Sequence, residues 1–191
     1  MTRRIVYGMG LWATAAVTAM TLASIIMPNW IRWNNGTESS PRFTYGLHKR
    51  CSSLTGQCEP FPDYADCHRD QNFCAMWRSV AFLMSFAVLL ELATLVAYII
   101  IILGGQQLRH YGWKVVVSLL AAVVLVQCSG MAIIAYLFDH DERFFPGWQL
   151  DTSWILCTVS WTVALITGAG ICTAVYALPE EGGYELIPGE N

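Results

Sequence analysis

Charge is what this chain of 191 residues has least of: 11 Lys and Arg and 14 Asp and Glu make up 13% of it, against 55% hydrophobic residues. A soluble domain of this balance could not keep its surface wet, so the composition predicts a polytopic membrane protein. There is no basic tract and the formal net charge is −3, which argues against nucleic-acid binding and against recruitment to anionic headgroups through a polybasic segment. A P-loop, a dinucleotide fingerprint and a nucleophile with its base and orienter are all missing, as is the C-x-x-C of thiol oxidoreductases. These absences predict a non-enzymatic interaction protein with no cofactor and no metal centre, lodged in the lipid bilayer.

What is present is four apolar runs, expected as spans over 5–27, 77–103, 113–138 and 153–177. The first follows Arg3 and Arg4 and is closed by Pro28; its roughly 23 residues give about 34 Å of helix, enough to cross a hydrocarbon core. It exceeds a usual signal-peptide core and lacks a small-x-small cleavage site, so it is read as an anchor. Gly10, Thr14 and Thr18, and beside them Ala15, Ala19 and Ala23, form small-residue faces suited to close helix packing. Spans two and three are separated by a hinge of about ten residues opened by Gly104 and Gly105, which makes them antiparallel neighbours. Outside the spans lie a long polar loop, 28–76, a short loop, 139–152, and a tail, 178–191, which with the spans form one domain, 1–191.

Four spans place both termini on one side. Counting Lys and Arg alone would put the long loop in the cytoplasm, because Arg32, Arg42, Lys49, Arg50, Arg69, Arg78 and Arg143 outnumber Arg3, Arg4, Arg109 and Lys114. Three features outweigh that count. Four cysteines in one loop suit an oxidising compartment; Asn35-Gly36-Thr37 is a glycosylation sequon, meaningful only in a lumenal segment; and Glu38, Glu59, Asp63, Asp66 and Asp70 offset the basic residues. The expectation is a multi-pass plasma-membrane protein with cytoplasmic termini.

The loop cysteines Cys51, Cys58, Cys67 and Cys74 follow C-x6-C-x8-C-x6-C, which is neither a zinc hook nor a redox pair. Two disulfides are expected. Three connectivities are open, and the symmetry of spacing leans toward Cys51 with Cys58 and Cys67 with Cys74. A ring that small contributes ~2 to 3 kcal/mol on a chain-entropy estimate, which matters for a lobe with little core of its own. Cys128, Cys157 and Cys172 fall within spans, as small apolar residues at helix contacts.

Trp30, fifteen residues, Gly46-Leu47-His48, two residues, Cys51 and then Cys58 resembles the W…GLW…C…C signature of the claudin, peripheral myelin protein and epithelial membrane protein superfamily. Arg78 at the opening of span two, a long first loop with a short second one, and Phe144-Phe145-Pro146 agree with the resemblance. It implies an all-α membrane protein, a four-transmembrane left-handed helix bundle carrying a small extracellular antiparallel β-sheet lobe from the first loop. It also implies a Cys51–Cys58 disulfide pinning that sheet, with Trp30, Gly46 and Leu47 anchoring it at the membrane surface. His48 stands where the signature has its last tryptophan and is expected to replace its packing; Cys67 and Cys74 are additional. The terminal Glu190-Asn191 differs from the apolar end by which typical claudins engage PDZ scaffolds, so that partner is not expected.

Charge is segregated along the loop, Arg32, Arg42, Lys49 and Arg50 preceding Glu59, Asp63, Asp66 and Asp70, and is expected to pair internally rather than with another copy. Glu91 sits near the middle of span two, where an ionised carboxylate is costly; it should be protonated or partnered by a hydroxyl, by Gln127 or by another subunit. Asp139-His140-Asp141-Glu142 is read as a solvated turn rather than a cation site. Trp12, Trp30, Trp33, Trp77, Trp113, Trp148 and Trp154 are read as an interfacial belt. Tyr184 to Ile187 has the Tyr-x-x-apolar form of an endocytic sorting signal. The functional expectation is cell-cell or lateral membrane association through the disulfide-pinned loop, by self-association or with another membrane protein. The alternatives are an auxiliary subunit regulating a channel and, more remotely, a membrane thiol oxidase using Cys67 and Cys74.

Overall fold

The four apolar runs contain no proline and fold as four long helices. The structure, a computed structural model, describes residues 2–33, 42–104, 106–141, 143–144 and 147–177. In chain order the elements are α1 (Thr2–Ile26), β1 (Ile31–Trp33), β2 (Phe43–Tyr45), β3 (Lys49–Ser52), β4 (Gln57–Pro60), α2 (Tyr64–Arg69), α3 (Gln71–Leu103), α4 (Gln106–His140), β5 (Trp148–Leu150) and α5 (Thr152–Ala177). Over Arg4–Ile26, Gln71–Leu103, Tyr111–His140 and Thr152–Ala177 the helices are long and apolar enough to cross a membrane.

All four long helices start before the expected spans, α3 and α4 by six and seven residues. Asp70 caps α3, accepting from Asn72 N at 3.1 Å and Phe73 N at 3.2 Å, so the helix begins at Gln71 rather than 77 and carries Cys74 out of the expected loop. The residues expected as a hinge of about ten are largely helical, leaving only Gly104 and Gly105 between α3 and α4. Polar residues are tolerated there because the backbone bonds lie within the helix, whatever the side chain.

The long helices form a ring, with α1 and α4 each packed on both α3 and α5. In α3 the buried residues Trp77, Val80, Met84, Ala87, Glu91, Thr94, Tyr98 and Ile101 recur in alternating steps of three and four, and Tyr7, Gly10, Thr14, Val17, Thr21 and Ser24 do the same in α1. A stripe of that period stays facing its partner only if the helices wind around one another. The core is in two parts. Trp30, Leu47, Trp77, Met84, Ile134 and Cys157 belong to one, Tyr7, Val17, Tyr98, Leu120, Val123 and Ala164 to the other, and polar side chains lie between them.

Above the first part sits a five-stranded antiparallel sheet of order β4-β3-β2-β1-β5. It is not built from the first loop alone as expected: β5, from the second loop, pairs with β1 in the register Ile31↔Leu150, Arg32↔Gln149 and Trp33↔Trp148. Three residues show no periodicity, and only the partner strand makes them a strand. At the other edge, Phe61 N donates to His48 O at 3.0 Å. By the alternation of an antiparallel ladder, Cys58 and Pro60 then turn their backbones outward, and Pro60, having no N–H, blunts that edge as a template for pairing.

Candidate functional site

The residues that carried the resemblance meet in one seam between sheet and bundle. Trp30 is fully buried; its Nε1 donates to Ser24 O at 2.7 Å, a carbonyl in the last turn of α1 with no partner inside the helix, and its backbone N–H donates to Tyr45 O at 2.9 Å. Gly46 lies so close to the end of α1 that a Cβ there would stand 2.5 Å from Pro28 Cα. Leu47 is buried and its carbonyl accepts from Trp77 Nε1 at 3.3 Å. Two corrections follow. Trp30 and Trp77 are seam residues rather than part of an interfacial belt, and His48 is exposed, so it does not take over the packing of the missing tryptophan.

Aromatic rings fill the space above the seam. Phe61 meets Tyr45 at 4.8 Å and Trp77 at 5.2 Å between ring centroids, and Phe73 stacks on Trp77 at 5.5 Å. The second loop contributes Phe144, 6.3 Å from Phe73, and Arg143, whose guanidinium lies 4.2 Å over the Phe73 ring. Its neighbours Phe145 and Pro146 lie outside the described residues.

Two disulfides brace this lobe. Cys51 and Cys58 are directly opposite on β3 and β4 and are bonded to each other; Cys67 and Cys74 tie α2 to α3. Of the three connectivities, this is the one toward which the spacing leaned. Arg78, exposed on α3, places its guanidinium 3.7 Å from Cys67 Sγ. Cys128, Cys157 and Cys172 are free thiols, with Cys157 buried against Met84 at 3.8 Å between sulfurs.

Of the segregated loop charges, Arg50 pairs with acids of the opposite half. Arg50 reaches Glu59 at 2.9 Å and Asp66 at 3.4 Å, and the hydrogen bond it donates to Glu59, against some desolvation, pushes the Arg50 guanidinium above its ordinary value. Arg32 approaches Asp151 at 3.7 Å, joining the sheet to the start of α5. Asp63 and Asp66 are spent on the capping box of α2. Tyr45 is raised from the ordinary tyrosine value, chiefly by burial. In the lobe, Phe43, Tyr45, Arg50, Leu54 and Glu59 line a groove of about 350 Å³.

A second constellation lies in the bundle, one residue from each long helix. Glu91 Oε1 accepts from Thr21 Oγ1 at 2.8 Å and from Gln127 Nε2 at 2.8 Å. Gln127 Nε2 also donates to Thr21 Oγ1 at 2.9 Å, and Ser160 Oγ is 2.8 Å from Thr21 Oγ1. All four residues are fully buried. Of the partners expected for Glu91, the hydroxyl and Gln127 are the ones in place. Thr21 and Ser160 were not singled out from the sequence; the available signal was their spacing, since Thr14 with Thr21 and Ser153 with Ser160 repeat at seven residues along buried stripes.

Other expected residues are not gathered into a site. Asp139 and His140 are exposed, His140 stacking on Tyr136 at 4.4 Å, while Asp141 accepts from Arg143 N at 2.9 Å. Among the described residues no group of three His, Cys, Asp or Glu could hold a metal ion. Asn35, Glu142, Tyr184 and Ile187 lie outside the described residues. What the lobe offers chemically is a surface of fixed shape, held by covalent braces, ring stacking and internal ion pairs. Compared with known proteins, the chain matches no protein-family model and no curated protein.

Proposed function

We propose that the chain is a claudin-like, four-span membrane protein of the plasma membrane, with a left-handed bundle, cytoplasmic termini and an extracellular lobe through which it associates with other copies or another membrane protein. The observation that carries this reading is the lobe itself. Two disulfides, one in the sheet and one between α2 and α3, hold rigid a surface on which Leu54 and Tyr64 remain 70% and 79% exposed. Rigid, exposed apolar side chains bind at little cost in conformational entropy. The buried Trp30, Gly46 and Leu47 seam and the 3.5-residue burial period support the claudin-like reading as well, because they give the signature residues and the left-handed bundle a physical purpose.

The test has two parts. An impermeant maleimide on intact cells should label the loop cysteines only after reduction; labelling that requires permeabilised membranes would invert the topology and sink the localisation. Cells expressing two differently tagged copies should then concentrate both at their contacts, or co-purify them, and Leu54→Ser with Tyr64→Ser should weaken this. Association unchanged by those lobe substitutions would refute a role for the lobe.

A further inference from the structure

The Thr21–Glu91–Gln127–Ser160 cluster has more acceptors than its hydrogens can serve. The hydrogens are one from Thr21, one from Ser160 and two from Gln127; Thr18, whose hydroxyl also lies beside Glu91, gives its hydrogen to Thr14 O at 3.0 Å. The buried atoms left without a partner among the described residues include both Glu91 Oε2 and Gln127 Oε1. The solvation of the carboxyl is also one-sided: Thr21 and Gln127 both direct their donors to Oε1 and none reaches Oε2. A carboxylate spreads its charge over two equivalent oxygens and recruits donors to each. A carboxylic acid differs, having a carbonyl oxygen with two lone pairs to fill and a hydroxyl oxygen that carries its own hydrogen.

Among the described residues no cation is paired with Glu91. Residues 5–27, 79–103, 115–139 and 152–177 contain no Lys, Arg or His. The groups facing Glu91 are the Thr18 and Thr21 hydroxyls on α1, the Gln127 amide on α4 and, through Thr21, the Ser160 hydroxyl on α5. None carries positive charge, and an uncompensated buried anion is among the most costly arrangements a folded interior can hold.

We propose that Glu91 is held as the neutral carboxylic acid, with its hydrogen on Oε2 and its carbonyl Oε1 as the shared acceptor, so that the polar layer joining the four helices is a charge-free, proton-dependent clasp. One hydrogen on Oε2 removes the charge and leaves both bonds at Oε1 intact. The layer separates the two apolar parts of the core and draws one side chain from every long helix. Losing the hydrogen would place a bare charge at the point where all four meet.

Infrared spectroscopy of the purified full-length protein in lipid bilayers at neutral pH tests this directly. The expected spectrum contains the carbonyl stretch of an un-ionised carboxylic acid, which shifts when glutamate carboxyls are isotopically labelled and is lost in Glu91→Gln. A labelled wild-type spectrum showing only carboxylate stretches at neutral pH would overturn the proposal. So would an acid band that persists in Glu91→Gln. Should Glu91→Gln fail to accumulate, the labelled wild-type protein alone decides, since presence or absence of the acid band is read without the variant.

Discussion

Replacing Gly46 by alanine is the smallest change that strikes the seam, and its cost can be worked out from neighbouring atoms. The added Cβ would stand 2.5 Å from Pro28 Cα, 3.1 Å from Lys49 O and 3.2 Å from Met27 O. Carbon atoms rest at about 3.5 to 4.0 Å, so the end of α1 and the β2–β3 turn must part by about 1 Å. All three obstacles are backbone, and no rotamer relieves them. Overpacking of this kind costs about 1 to 3 kcal/mol. The same movement stretches the bonds from Trp30 N to Tyr45 O, from Gly46 N to Lys49 O and from Trp77 Nε1 to Leu47 O, each contributing about 1 kcal/mol. The expected loss is therefore ~3 kcal/mol or more. Two other glycines calibrate it. Gly56 has open space but a φ of +65°, so Gly56→Ala should cost only the left-handed backbone, about 1 to 2 kcal/mol. Gly170 on α5 has open space and ordinary helical geometry, and Gly170→Ala should be neutral or stabilise by up to about 1 kcal/mol. Thermal unfolding of the three variants in one detergent, compared at the wild-type midpoint, should rank them in that order. A Gly46→Ala protein as stable as wild type, or no worse than Gly56→Ala, would refute the steric account of the seam.

Peptide mapping without reduction should recover Cys51 linked to Cys58 and Cys67 linked to Cys74; removing either pair as a double serine variant should cost about 2.5 kcal/mol by loop-closure entropy, and any crossed linkage would contradict the lobe geometry. Trp30→Phe should cost about 1 to 3 kcal/mol, because it leaves the Ser24 carbonyl buried without its donor; Trp12→Phe, at an exposed position on α1, should change stability little in the same unfolding assay. The Tyr45 phenol is raised, so the folded state binds more protons than the unfolded one above the ordinary tyrosine value of 10.0. Stability should then be full below about pH 10 and fall as pH rises beyond it, and Tyr45→Phe should lessen that fall in an alkaline unfolding series. Arg50 is likewise raised, so its guanidinium keeps its charge at every pH below the arginine range. Because both side chains are substantially exposed, Glu59→Gln should cost at most about 1 kcal/mol.

The sequence by itself determined the four helices, because apolar length without proline leaves a chain no other way to satisfy its backbone. It determined two disulfides in the loop and, through spacing, a leaning toward their pairing. It also marked Glu91 as needing either a proton or a partner, with Gln127 among the candidates, since a lone buried carboxylate is costly. The tertiary structure decided what rests on atoms distant in sequence. That β5 completes the sheet could not be read from Trp148–Leu150, which has no period and becomes a strand only beside β1. Trp30 and Trp77, at the ends of apolar runs, have the pattern of interfacial residues, and only the packing of Leu47 and Phe61 around them makes them core. Thr21 and Ser160 are ordinary helix hydroxyls until the winding of four helices brings them within 2.8 Å of one another. Gly46 shows both at once: its place in a signature is visible in the sequence, but the reason no side chain fits there is the backbone of Pro28, eighteen residues away.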